Sequence, residues 1–184
     1  MKIVYNGPMA HLSIALLGAF RVTLAAQPLT TFRSVKNQAL LAYLAVEAER
    51  PHTRAALAGL LWPEEPEAKA RHNLRQALLQ LRTLLQGAAP AYLAITPSTV
   101  QFQRMSTHWL DVNAFQELLN ACEHHPHTDL VTCTPCLTRL GQAVDLYHGD
   151  FLHGLFVDDS AALEEWILLQ RAHYHHAVLD ALYQ

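Results

Sequence analysis

Two stretches of this chain concentrate side chains able to do chemistry. The first, ARHNLRQALLQLR at residues 70–82, carries three arginines, an asparagine and two glutamines. Its apolar residues Ala70, Leu74, Leu78 and Leu81, continued by Leu85, recur at helical spacing, so one stripe of the helix faces a core. With that stripe turned inward, a step of about 100° per residue sets Lys69, His72, Gln76, Leu79 and Thr83 near the outward pole. Asn73 and Gln80 fall on one flank, Arg71, Arg75 and Arg82 on the other. Amides pair with base edges and guanidinium groups hold phosphates, so this face suits a nucleic-acid groove. Many amphipathic helices carry such residues only to solvate themselves, but solvating faces usually mix signs, and Lys69 to Thr83 contains no acidic residue.

The second stretch, ACEHHPHTDLVTCTPC at residues 121–136, holds all three cysteines. Cys133 and Cys136 form a C-x-x-C pair, and in a protein expected to be cytoplasmic such a pair points to metal or redox chemistry before a structural disulfide. With Cys122, or with His124, His125 or His127, they can supply the four ligands of a tetrahedral Zn2+; the candidate set is Cys122, His127, Cys133 and Cys136. Free thiols in a histidine-rich surface loop are the alternative. A redox pair is the weaker reading, because no strand precedes the motif.

The elements that must position these groups are legible in the hydropathy pattern. From Leu12 to Leu24 the even positions are mostly apolar, the period of half-buried strands, broken by Gly18 and by AAQP at 25–28. A first helix is expected over 35–49 behind Ser34 as N-cap, a second over RAALAGLL behind Thr53, and a third from Pro66 to the Gly87 and Pro90 stop. Two β-prone runs, YLAI and TVQFQ, flank the turn TPS. Short strands, three helices and a hairpin are the order of an α+β winged helix, with the third helix as recognition helix and the hairpin as wing. Beyond Trp109 the pattern is all-α: a short helix capped near Asp111, a second over CLTRLGQAVDLY, and a long third capped by Asp159 or Ser160. Tyr147, Phe151, Phe156 and Trp166 are expected to be core aromatics, and the histidines of HYHH at 173–176 to be solvated.

Charge divides the chain in the same place. Residues 1–105 hold 11 Lys and Arg against 5 Asp and Glu, a net +6, whereas residues 106–184 hold 2 against 11, a net −9. The expected organisation is therefore a winged-helix domain over 11–105 and a helical domain over 106–184, only the first of which suits a polyanion. At 184 residues and 51% hydrophobic the chain can bury a sizeable core. No apolar run approaches the ~18 residues of a spanning helix, and no basic segment followed by an apolar run and a cleavage site opens the chain, so no membrane association is expected.

The blocks LLGAFRV, LTTFRSVKNQALLAYLA, RAALAGLLWPEEPEAKARHNLRQALLQLR, WLDVNAFQELL, LYHGDFLHGLF and LEEWILLQRAHY together resemble, over residues 12–184, the N-terminal part of SARP-type bacterial transcriptional regulators. The resemblance implies an OmpR-type winged helix followed by a tetratricopeptide-like bacterial transcriptional activator domain, here incomplete at Gln184. It implies sequence-specific binding to direct repeats in promoter DNA, with recruitment of RNA polymerase. Carried onto this chain, Lys69, His72, Asn73, Gln76 and Gln80 face the groove, Arg71, Arg75 and Arg82 hold phosphates, and the loop with Trp62, Glu64 and Glu65 faces polymerase. The outward pole is less basic than in many DNA binders and the hairpin has no basic residue before Arg104, so weak binding and a need for dimerisation are expected, with self-association through the C-terminal helices.

An enzyme is not expected. The chain has no Gly-rich phosphate loop, no G-x-S-x-G and no Ser/His/Asp motif; Asp150, Asp158 and Asp159 near His148 and His153 read as helix-start acids. The competing reading is a protein-interaction module whose winged helix docks on a partner instead of DNA.

Overall fold

The computed structural model describes residues 12–126, 130 and 132–183. Among them the elements run β1 (Leu12–Ala15), β2 (Arg21–Leu24), β3 (Gln27–Pro28), α1 (Val35–Val46), β4 (His52–Thr53), α2 (Arg54–Leu61), α3 (Glu67–Leu84), α4 (Ala89–Tyr92), β5 (Leu93–Ile95), β6 (Thr99–Phe102), β7 (His108–Leu110), α5 (Asp111–Glu123), α6 (Thr134–Leu146) and α7 (Ala161–Tyr183). The fold is mixed α+β with two small sheets. None of these helices is long and apolar enough to cross a membrane.

The first sheet has the order β3-β2-β1-β7. Leu12 and Ile14 of β1 face inward opposite Leu24 and Val22 of β2, as period-2 alternation requires. The AAQP break is a two-residue turn in which Ala25 and Ala26 both take positive φ, the geometry that joins tightly twisted hairpin strands. β7 joins the other side of β1 in parallel, Leu12 opposite His108 and Ile14 opposite Leu110. A parallel neighbour needs a crossover, and this one contains α1–α4 and the second sheet, β4-β6-β5. The boundary expected after residue 105 thus falls just ahead of a strand that completes the first sheet.

The helices follow the caps read from sequence. Ser34 Oγ accepts from Asn37 N and Thr53 Oγ1 from Ala56 N, while Ser160 Oγ accepts from Leu163 N at the start of α7. Asp111 departs from expectation: it is the first residue of α5, whose N-cap is Leu110, and its side chain serves the interior. It is buried, its Oδ2 accepts from Leu16 N at 2.6 Å and Leu17 N at 2.8 Å, and its Oδ1 accepts from Val112 N at 2.8 Å. The carbonyls of the same segment are taken by the connection between α6 and α7: His148 N donates to Leu17 O, Leu152 N to Leu16 O, and His153 N to Gly18 O. Gly18 has φ +127°, a conformation that strains any side chain, and a Cβ there would press on His148 Cβ at 3.2 Å.

One core runs through the molecule, from Leu12 and Ile14 through Leu40, Leu57, Leu74 and Phe102 to Phe115, Phe151, Ile167 and Val178. Phe151 stacks on Tyr174 and meets Trp166 edge-on. Of the four aromatics expected inside, Phe151 is fully buried and Tyr147 and Trp166 are half-buried, but Phe156 is 59% exposed, its ring covered on one side by Arg171 at 5.6 Å. Arg171 also donates from Nε to Phe151 O and from Nη2 to Leu152 O, fixing the α6–α7 connection to α7.

Burial raises the Asp111 carboxyl to a pKa of about 6, against the lowering pull of its three backbone donors and Arg21. A carboxyl raised on folding binds more protons in the native state, so its stabilising contribution is complete below about pH 4 and is lost as pH rises through about 6. Chemical denaturation across pH 4–7 should therefore show the wild-type chain losing stability relative to Asp111→Asn as pH rises, whereas parallel curves would refute the raised carboxyl. Asp111→Ala, which orphans three N–H groups, should cost about 3 kcal/mol or more at any of these pH values.

Candidate nucleic-acid interface

α3 owes its position to α1 and α2. Ala70, Leu74, Ala77, Leu78 and Leu81 are buried, so the sequence-derived stripe is the one that docks. Lys69, Arg71, His72, Arg75, Gln76, Leu79, Arg82 and Thr83 are exposed, and Asn73 and Gln80 are half-buried. Leu79, at 55% exposure, is a large apolar side chain in the middle of a polar face.

The exposed residues are not electrostatically equivalent. Lys69 Nζ lies 2.9 Å from Glu65, and Arg71 pairs with Glu67, each glutamate one turn nearer the N-terminus. The first two cations of the acid-free stripe are therefore engaged by one acid just before the helix and one in its first turn. Arg75 and Arg82 differ: among the described residues no carboxylate lies within ion-pair distance of either. They stand seven residues apart, about 10 Å along the axis, on one side of the helix. Gln76, Leu79 and Thr83 run beside them, with the Thr83 hydroxyl donating to Leu79 O.

Gln80 belongs more to the interior than to the face. Its Oε1 accepts from Nδ2 of the buried Asn37, whose backbone N–H is held by Ser34 Oγ, so the cap of α1 and the middle of α3 share one polar network. Only the amide N–H2 of Gln80 is left for an outside partner. Periodicity assigned it to a flank correctly, but the Asn37 contact joins residues 43 positions apart and has no sequence signal.

The hairpin β5–β6 closes at Thr96-Pro97-Ser98, where Thr96 Oγ1 accepts from Ser98 N and Thr99 N. Its tip is thus hydroxyl-rich and uncharged. Arg104 lies beyond β6, directed at Glu49. Arg54, which sequence reading passed over, opens α2 beside this tip: its N–H donates to Ser98 O at 2.9 Å, and its Nε is buried with no hydrogen-bond partner. Lys36 Nζ sits 5.3 Å over the ring of Trp62 and 2.6 Å from Asp159, tying the loop after α2 to the start of α7. In that loop Glu65 is committed to Lys69, while Glu64 is exposed.

The second reactive stretch also comes together. Nδ1 of His125 lies 3.4 Å from the sulfurs of both Cys133 and Cys136. Cys122 Sγ donates to Cys136 O at 3.5 Å. His124 turns away, its Nδ1 against Asn120 O, and His127 lies outside the described residues. The fully buried Cys136 thiol is pushed up to about 11 by burial and by the neighbouring thiols of Cys133 and Cys122.

Among solved structures, the chain is similar to EmbR of Mycobacterium tuberculosis, whose structure holds a low affinity phosphopeptide. The likeness covers 93% of this chain and 45% of that one, with 24% identity and a TM-score of 0.67. This chain thus has the fold of somewhat less than half of that protein. No family model and no curated protein matches the sequence.

The two kinds of face residue separate by stability. Gln80→Ala leaves the buried Asn37 amide without its acceptor and should cost about 1–2 kcal/mol in thermal or urea unfolding, whereas Gln76→Ala should stay within about 0.5 kcal/mol of wild type. Equal effects would contradict the division of the face.

Proposed function

We propose that this chain is the DNA-binding part of a SARP-type transcriptional regulator, with α1–α3 and the β5–β6 hairpin acting as an OmpR-type winged helix. The observation that carries the reading is the pair Arg75 and Arg82, exposed on α3 without an acidic partner among the described residues, with Gln76 and Leu79 between them. Set along a major groove, the two guanidinium groups span neighbouring phosphates, Gln76 addresses a base edge, and Leu79 offers an apolar contact of the kind that reads a thymine methyl. His72 and Asn73 extend the groove-facing set toward the N-terminus. Lys69 and Arg71 join it only by exchanging Glu65 and Glu67 for phosphates, which weakens their contribution.

The net +6 of residues 1–105 supports approach to a polyanion, and the resemblance to SARP-type regulators and the fold shared with EmbR support the same reading. Promoter DNA is then the partner, with RNA polymerase as the second: Glu64 is the exposed acid of the loop assigned to it, Trp62 and Glu65 being engaged within the chain. Exposed Leu168, Leu169, Leu182 and Tyr183 on α7 support self-association. With few phosphate contacts, a second copy on a repeated site would supply avidity.

Fluorescence anisotropy against the chain's own upstream DNA and a scrambled duplex, at several salt concentrations, tests this reading. Arg75→Ala and Arg82→Ala should each reduce the salt slope by about 1, while Gln76→Ala should lower the preference for the promoter over the scrambled duplex. Glu65→Gln with Glu67→Gln should raise affinity several-fold at low salt. Equal, salt-insensitive binding to both duplexes by wild type and variants would overturn the proposal in favour of a winged helix that docks on protein.

A further inference from the structure

The stretch between α5 and α6 has no part in the DNA-binding reading, yet it gathers three soft donor atoms. We propose that His125, Cys133 and Cys136 bind a zinc ion that links the end of α5 to the start of α6. Their ligand atoms all lie within 4.8 Å of one another. Zinc bonds of roughly 2.1 Å to nitrogen and 2.3 Å to sulfur, opened to the tetrahedral angle, separate a nitrogen from a sulfur by about 3.6 Å. Nδ1 of His125 stands 3.4 Å from each of the two sulfurs, within a few tenths of an ångström of that separation.

Local structure explains how the donors meet. α5 ends at Glu123, and His125 follows within a turn of that end, its N–H bonded to Cys122 O. Cys133 is the N-cap of α6 and Cys136 lies three residues on, the spacing that puts two side chains on one side of a helix. Pro135, in the first turn, presets the backbone between them. Mixed thiolate and imidazole ligation selects zinc over magnesium or calcium, which take oxygen donors.

A metal here also answers a packing need. Beneath the cluster is a satellite core of Cys122, Cys136, Leu140 and Ala181, four small or medium residues where α5, α6 and α7 meet. With Leu119, Leu130 and Val144 partly buried around it this core is still small, and a metal link contributes most where a core is small. Three protein ligands leave one tetrahedral position for water or a fourth side chain. Cys122, of the set expected from sequence, is directed at the Cys136 carbonyl and lies outside the group of three.

The test is metal content by mass spectrometry on tag-free protein purified under reducing conditions, followed by chelation and titration with Zn2+ and then Co2+. The expected results are about one zinc per chain, a tetrahedral thiolate–cobalt spectrum, and a thermal midpoint that falls on chelation and recovers with zinc. His125→Ala and the Cys133→Ser/Cys136→Ser variant should lose both the metal and the midpoint shift, while His175→Ala/His176→Ala should keep them. Less than about a tenth of an equivalent in reconstituted wild-type protein overturns the site without recourse to a variant. So does undiminished zinc binding by the double cysteine variant.

Discussion

The segment Leu16–Gly18 is where the two ends of the chain are made one structure. A strand that runs out of its sheet leaves N–H and C=O groups that must be satisfied, and here two distant pieces of chain do so. The buried carboxylate of Asp111 takes the N–H groups of Leu16 and Leu17, while residues 148–153 donate to the carbonyls of Leu16, Leu17 and Gly18. Asp111 follows β7 directly, so the bonds that close this segment also hold β7 beside β1 and aim α5. Burying a carboxylate is unfavourable unless it is hydrogen-bonded; three backbone donors offset much of the cost, and the raised pKa of about 6 records what they leave uncompensated.

From that junction the rest of the C-terminal region is laid against the N-terminal one. Phe151 enters the core, Arg171 fastens the carbonyls around it, and Trp166 of α7 meets Tyr43 of α1 edge-on. Trp166 donates to Glu47, Ser160 to Leu60 O and Lys36 to Asp159. These contacts approach α1 and α2 from the C-terminal half and leave the outer face of α3 exposed. The acidic half of the chain is thus anchored to the basic half without any of its described carboxylates reaching Arg75 and Arg82, which is what permits a basic surface on a molecule of net charge −3.

Electrostatics within α3 favours two ends differently. Glu67 in the first turn, with Glu65 just before the helix, suits the positive end of the helix dipole, and each pairs with a cation one turn on. The same glutamates that help the helix start draw Lys69 and Arg71 away from an outside anion. Farther along, Arg75, Gln76, Leu79 and Arg82 have no such competitor among the described residues, so the proposed interface lies in the middle and last turns of the helix.

Sequence alone determined the local elements, because caps and periodicity act over a few residues: Ser34, Thr53 and Ser160 start helices where expected, and the apolar stripe from Ala70 to Leu81 is the one that is buried. It also determined the composition of the outward face of α3 and the clustering of cysteine with histidine. What it left open depends on partners far away in the chain. The parallel pairing of β7 with β1, the burial of Asp111, the capture of Gln80 by Asn37 and the exposure of Phe156 are each set by residues tens of positions distant, which no local pattern encodes. The choice among the histidines was of the same kind. Spacing admitted His124, His125 and His127, with His127 in the candidate set; the packing of α5 on α6 brings His125 to the two sulfurs and leaves His124 against Asn120 O, while His127 lies outside the described residues.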